Sequence, residues 1–209
     1  MKMASSTVDI EAPRYDQGTY KGRVLHFLRI TNPFNICTSK QRLQDSKQKL
    51  EDYKSGKLKL GKDVSEEELW EAKYLRDSAF HPDTGDLQFF VGRMAFQVPG
   101  NIIVVGGMTT FYKSTPAILF WQWVNQTFNC IVNYTNRNAS IPLSNTQLIG
   151  AYLAACSASM VAALGLNRLV ARKPAWQRGL MGRLVPFGAV VIANCFNIPL
   201  MRQESLQFF

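Results

Sequence analysis

The chain has 209 residues, 46% of them hydrophobic, and a formal net charge of +9. The positive surplus lies mostly beside apolar segments and not on one basic face or in a Lys/Arg tract, which argues against a nucleic-acid-binding protein and favours charge next to a membrane. The four cysteines are too scattered for a CxxC metal or redox motif.

Charge divides the chain into two parts. Positions 1–95 contain 16 basic and 14 acidic residues, whereas positions 96–209 contain 8 basic residues and a single acidic one, Glu204. A region almost free of carboxylates and rich in Gly and Ala is typical of lipid-facing chains. We therefore predict a soluble helical region over 1–95, a membrane region over 96–203 and a short divergent tail over 204–209.

Two helices are predicted in the soluble region. The first has Thr38 or Ser39 as its N-cap, an apolar stripe on one side, and Gly56 as its stop. The second begins with Ser65 and Glu68 at the spacing of a capping box and ends before the next proline. This pattern predicts a charged helical hairpin.

Four apolar segments follow, and they predict an all-α, polytopic membrane protein with about four transmembrane helices. In chain order they are Phe96–Tyr112, Pro116–Tyr134, Leu148–Ala171 and Leu184–Met201. At 1.5 Å per residue the second segment extends roughly 28 Å, close to the hydrocarbon thickness of about 30 Å. The loop between the third and fourth segments is the most basic, so the positive-inside rule places it on the cytoplasmic or equivalent side and residues 1–95 on the other.

The third segment contains two neighbouring rows of small residues at i, i+4 spacing. One row is Gly150, Ala154, Ala158 and Ala162, and the other is Ala151, Ala155, Ser159 and Ala163. Such rows allow helix backbones to approach closely, so we interpret both as packing surfaces.

The second segment contains a row of amides. Its members are Gln122, Asn125, Gln126, Asn129 and Asn133. At 100° per residue they fall inside an arc of roughly 100° on one side of a helix. Five unsatisfied polar groups facing lipid would cost on the order of 10 kcal/mol, so the row must face protein or water.

Two interpretations of the row remain open. Amides can hydrogen-bond neighbouring helices, although one or two usually suffice for that. They can also line a hydrated path or a polar binding site, since amides donate and accept and can hold a zwitterion or a hydroxyl compound. Asn194 and Asn197, just before Pro199 in the fourth segment, are candidates for a second polar patch at a broken helix or for groups that satisfy a kink.

Several strings resemble the sideroflexin family of mitochondrial inner-membrane carriers. They are "SAFHPDTGD", "GRMAFQVPGN", "FWQWVNQTFNCIVNYTNRN" and "NIPLMRQ", together with "PRYDQGTYKGRVLHFL" and "LWEAKYL" nearer the N-terminus. The resemblance extends over nearly the whole chain to about Gln203 and implies a multi-pass helical protein of the mitochondrial inner membrane. It further implies transport of serine and related small neutral amino acids for one-carbon metabolism, and a link to iron homeostasis.

The chain departs from the family at its C-terminal end. Family members continue with another soluble stretch and at least one more membrane helix, whereas here "NIPLMRQ" is followed by "ESLQFF". We therefore expect a C-terminally truncated member, and the alternative to a carrier is a non-transporting membrane scaffold or inactive truncated isoform. In that case the helices at 39–80 would bind a protein partner, which the sequence does not identify.

No catalytic or cofactor-binding constellation is evident. His81 with Asp83 and Asp86 could ligate a metal, but "HPDTG" is also ordinary turn chemistry. The sequence shows no Ser/His/Asp or Cys/His catalytic set with supporting context. It likewise shows no phosphate-binding loop and no dinucleotide-binding fingerprint in the strand and helix pattern that such motifs require. We predict a protein that is not an enzyme and has no metal site or cofactor, with a small neutral amino acid and the lipid bilayer as its partners.

Overall fold

The computed structural model describes residues 8–137, 144–172 and 180–206, and within the last range the side chains of 181 and 196–206 are not described. Throughout these ranges the regular structure is helical, with isolated bridges and no β-strand. The all-α prediction is therefore confirmed. The chain forms two compact units, one up to Val98 and one from Pro99 onward.

The first unit contains three α-helices. They are α1 (Tyr20–Ile30), α2 (Lys40–Lys54) and α3 (Glu66–Ala79), and short 3-10 turns occupy Pro33–Cys37, Phe90–Gly92 and Met94–Phe96. Helix α2 packs against α3, which confirms the predicted hairpin, and α1 also contacts α3. Leu43, Leu50 and Leu69 are completely enclosed between the helices and the segments that cover them.

The predicted helix ends of the hairpin are confirmed. The Ser39 side chain accepts a hydrogen bond from the Arg42 N–H, and Gly56 follows α2 with a φ of 77°. Ser65 and Glu68 form the reciprocal capping box of α3. Hydrogen bonds from the backbone and hydroxyl of Ser65 hold the pKa of Glu68 below its ordinary value.

The N-cap of α2 allows a direct stability test. Ser39→Ala removes the acceptor of the Arg42 N–H, so we expect the free energy of unfolding to fall by about 1 kcal/mol. Gln44→Ala, at an exposed position of the same helix, is the matched control and should change it by no more than about 0.5 kcal/mol. Chemical denaturation followed by circular dichroism measures both changes, and equal effects would contradict a capping role.

Helix α1 is absent from the sequence prediction. It begins at an N-cap, Thr19, whose side chain accepts from the Gly22 N–H. Gly22 is buried against the backbone of Asp16, where an added Cβ would clash. The helix carries apolar residues on its exposed side, so its pattern lacks the polar outer face by which surface helices are recognised.

The second unit contains the predicted apolar segments. Its helices are α4 (Gln97–Thr110), α5 (Thr115–Thr135), α6 (Asn145–Ala171) and α7 (Leu180–Leu206), with the unit division falling in the first turn of α4. Helix α6 packs against both α5 and α7, and α5 also contacts α7.

In the ranges that the structure describes, one helix is long and apolar enough to cross a membrane. This helix is α6, with 27 residues, while α7 contributes a shorter apolar stretch over Gly182–Cys195. Helix α4 has 14 residues and rises roughly 21 Å, and the amides of α5 lower its hydropathy. The prediction of four spans is thus not confirmed by helix length and composition, and it stays a prediction.

The small-residue rows of α6 differ in burial. The row Ala151, Ala155, Ser159 and Ala163 is buried, which confirms its packing role. In the other row Gly150 is exposed and the three alanines are half-buried. Ala189 and Ala193 of α7 are fully buried at the same i, i+4 spacing, and Ala189 shares a core cluster with Ala163. Small residues on both helices allow close contact between α6 and α7.

Candidate functional site

The amide row lies along one side of α5 and changes from buried to exposed along the helix. Gln122, Asn125 and Gln126 are 1%, 6% and 1% exposed. Asn129 is half-buried and Asn133 is exposed. The structure therefore brings the first three together inside the second unit, and we call Gln122, Asn125 and Gln126 the amide cluster.

The amide-bearing side of α5 faces the other helices of its unit. Ile118, one turn before Gln122, packs against Ala163 of α6 and Ala189 of α7. The Gln122 Nε2 group donates a hydrogen bond of 3.2 Å to the Pro186 carbonyl oxygen of α7. Helices α6 and α7 enclose this side of α5. The amide cluster therefore faces protein, in agreement with the expectation that the amides face protein or water.

Among the residues that the structure describes, four buried polar atoms of the amide cluster have no hydrogen-bond partner. They are Oε1 of Gln122, Nδ2 of Asn125, and both Nε2 and Oε1 of Gln126. Buried polar atoms are nearly always paired, and leaving one unpaired costs about 1–3 kcal/mol. The cluster thus contains two donor groups and two acceptor atoms whose hydrogen-bonding capacity is unused in the structure.

Hydrogen bonding between helices accounts for only part of the amide cluster. Gln122 binds the Pro186 carbonyl, as the interhelical interpretation requires. Gln126 is equally buried and makes no such bond to any side chain or backbone group in the described ranges. The interhelical interpretation is therefore confirmed for Gln122, which links α5 to α7, whereas the binding-site interpretation of Gln126 stays a prediction.

The second polar patch predicted on the fourth segment is described only in part. Asn194 is half-buried on α7. Asn197 lies within α7, and its side chain is outside the described residues. The α7 group that the structure brings to the amide cluster is the Pro186 carbonyl.

A second polar contact near the amide row was missed by the sequence reasoning. Thr127 Oγ1 and Tyr152 OH lie 2.9 Å apart and join α5 to α6. Thr127 directly follows the last member of the amide cluster. A tyrosine near the start of an otherwise apolar helix was the available signal for this contact.

The segment considered for metal binding forms a turn. His81 Nδ1 accepts hydrogen bonds from the N–H groups of Asp83 and Thr84, at 3.1 and 3.3 Å. Gly85, with a φ of 69°, donates its N–H to the His81 carbonyl. This arrangement confirms the turn chemistry. Within the described ranges no group of three or more His, Cys, Asp or Glu residues is placed to hold a metal ion.

Comparison with known proteins gives a consistent result. The family model described as sideroflexins matches residues 9–208. Sideroflexin-1-3 of Drosophila melanogaster is 50% identical over 204 residues, which is 96% of this chain and 61% of the relative. Sideroflexin-1 of Mus musculus and Sideroflexin-3 of Homo sapiens are each 48% identical over 200 residues, 96% of this chain and 60% of each relative. No solved structure matches the chain significantly. The chain thus spans about three fifths of the length of these relatives.

Proposed function

Because the chain belongs to the sideroflexin family, we propose that it is a transmembrane carrier of small neutral amino acids, with serine as its first substrate. The observation that carries this proposal is the amide cluster, where buried donors and acceptors lack partners on a helix of the apolar unit. We place the protein in the mitochondrial inner membrane as a multi-pass protein, where serine transport would supply one-carbon metabolism.

The chemistry of the amide cluster fits a zwitterion with a hydroxyl group. The Asn125 Nδ2 and Gln126 Nε2 groups are donors for a carboxylate. The Oε1 atoms of Gln122 and Gln126 are acceptors for an ammonium or a hydroxyl group. Serine carries all three groups in one small molecule.

The electrostatics favour a solute without net charge. Amides carry no formal charge, and Glu204 is the one acidic residue of positions 96–209. A cationic or anionic solute would enter a buried site that has no opposite charge, and burying an unpaired ion is costly. A zwitterion brings its own balanced pair of charges, so the selectivity expected is for small neutral amino acids.

Serine uptake into liposomes tests the proposal. The purified 209-residue chain should take up radiolabelled serine, and Asn125→Leu should reduce uptake about tenfold or more because a donor to the carboxylate is lost. Asn133→Leu makes the same chemical change at an exposed position of the same amide row, so its uptake should equal that of the unaltered chain. Unlabelled lysine and aspartate, added as competitors of serine uptake, measure whether the site accepts a solute with a net charge.

Two results would refute the proposal. Absence of serine uptake by the correctly inserted chain would favour the non-transporting membrane scaffold. Equal uptake by Asn125→Leu and the unaltered chain would show that the amide cluster does not bind serine during transport. A serine-induced rise in melting temperature, measured in detergent, separates loss of binding from loss of transport because a ligand of the native state stabilises it.

A further inference from the structure

Helix α1 exposes an apolar stripe to solvent. Tyr20, Val24, Phe27 and Leu28 are 77%, 37%, 51% and 63% exposed. Their spacing of i, i+4, i+7 and i+8 puts all four on one side of the helix, within an arc of roughly 100°. Contiguous exposed apolar side chains of this size mark an interaction surface.

The stripe is distinct from the side of α1 that packs into the first unit. Gly22 and Ile30 are the buried residues of the helix. Ile30 forms a core cluster with Trp70 and Tyr74 of α3. The α1 residues that pack into the unit are therefore different from those of the stripe.

Basic residues flank the stripe on both sides. Taking 100° per residue, Lys21 lies on one side of Tyr20 and Arg23 on the other, and both are exposed. Hydrogen bonds to the carbonyls of Gln17 and Gly18 hold the Arg23 guanidinium in place. Among the described residues neither cation forms an ion pair with a carboxylate of the chain. An apolar stripe between unpaired cations is complementary to a surface of acyl chains and anionic headgroups.

The turn that follows α1 contacts the segment that leads into α4. Helix α1 leads into the 3-10 turn Pro33–Cys37, which packs against the turn Met94–Phe96. Helix α4 begins at the next residue, Gln97. Helix α1 and the residues that precede α4 along the chain are thus linked by contacts within the first unit.

We propose that α1 lies on the membrane surface and binds anionic lipid. The apolar stripe would enter the boundary between headgroups and acyl chains, while Lys21 and Arg23 contact lipid phosphates. This inference rests on the membrane placement in the proposed function, but it does not depend on transport. The occupant we assign to the stripe is the bilayer itself.

Position-specific fluorescence in the full chain tests this assignment. An environment-sensitive fluorescent amino acid is encoded at position 27, in place of Phe27, in chains reconstituted into vesicles of phosphatidylcholine and phosphatidylglycerol. We expect blue-shifted emission, quenching by lipids that carry a nitroxide near the headgroup, and protection from aqueous iodide. The same probe at position 44, in place of the exposed Gln44 of α2, should show water-like emission and iodide quenching.

A double variant tests whether the basic residues beside the stripe are needed for lipid binding. Lys21→Gln combined with Arg23→Gln should reduce lipid quenching at position 27, and so should vesicles of phosphatidylcholine alone. Iodide quenching at position 27 that equals quenching at position 44 would overturn the proposal. Protection from both quenchers would overturn it as well, because the stripe would then be covered by protein.

The membrane premise and the transport proposal fail in different ways. Release of the chain from vesicles by alkaline carbonate would refute the multi-pass placement, which is the premise of both proposals. Loss of serine uptake with unchanged lipid quenching at position 27 would refute the carrier alone. Lipid quenching that disappears while serine uptake persists would refute the α1 assignment alone.

Discussion

Replacing Gln126 with leucine is expected to abolish serine uptake while raising the thermal stability of the protein. Both polar atoms of the Gln126 amide are buried and have no hydrogen-bond partner in the part of the chain that the structure describes, and leucine fills a similar volume without them. Removing buried unpaired polar groups stabilises a fold, here by about 1 kcal/mol or more. The same change removes a donor and an acceptor from the amide cluster, so the substrate loses its partners.

Gln122→Leu is the matched comparison for this experiment. Its side chain is as deeply buried, but its Nε2 donates to the Pro186 carbonyl of α7. Leucine at position 122 gives up that bond along with the unpaired Oε1, so we expect little gain or a net loss of stability. The two glutamines lie four residues apart and thus separate a binding group from a helix-linking group on one helix.

Melting temperature in detergent and serine uptake in liposomes are measured for both variants. A stabilised Gln126→Leu chain without uptake is the combination expected when a fold keeps unsatisfied polar groups for function. A destabilised Gln126→Leu chain would show that its amide is satisfied within the protein, which contradicts the assignment of Gln126 to substrate binding.

Local signals in the sequence were sufficient for the hairpin of the first unit. Ser39, Ser65, Glu68 and Gly56 act through short-range geometry, since an N-cap bonds an N–H two or three residues away and a glycine tolerates positive φ. The helical periodicity of α5 likewise placed the five amides on one side.

Features that depend on tertiary contacts could not be predicted in this way. Periodicity placed Gln122 and Asn133 on the same side of α5, but only the packing of α6 and α7 buries one and leaves the other exposed. The partner of Gln122 is a backbone carbonyl of α7, and a backbone group has no signature in the sequence. Helix α1 was missed for a related reason, since its apolar stripe faces solvent in this chain.

The sequence also does not show which glycine of α4 lies against α5. The segment "GGM" in α4 has two adjacent glycines, and either could be the site of a close approach. An added Cβ on Gly107 would clash with the ring of Trp121, whereas one on Gly106 would meet nothing within 4 Å. The Trp121 ring is stacked on Phe111, with 6.2 Å between ring centroids and an interplanar angle of 4°, so it has little freedom to withdraw.

Gly107→Ala is therefore expected to destabilise the protein by about 2–3 kcal/mol, because overpacking displaces a large aromatic side chain from its stacked position. Gly106→Ala should instead raise the free energy of unfolding by about 0.5–1 kcal/mol, since alanine favours the helix over the unfolded chain and has space at this position. Thermal unfolding of both variants in one detergent measures the difference in sign. If Gly107→Ala is as stable as Gly106→Ala, α4 does not approach Trp121 through Gly107.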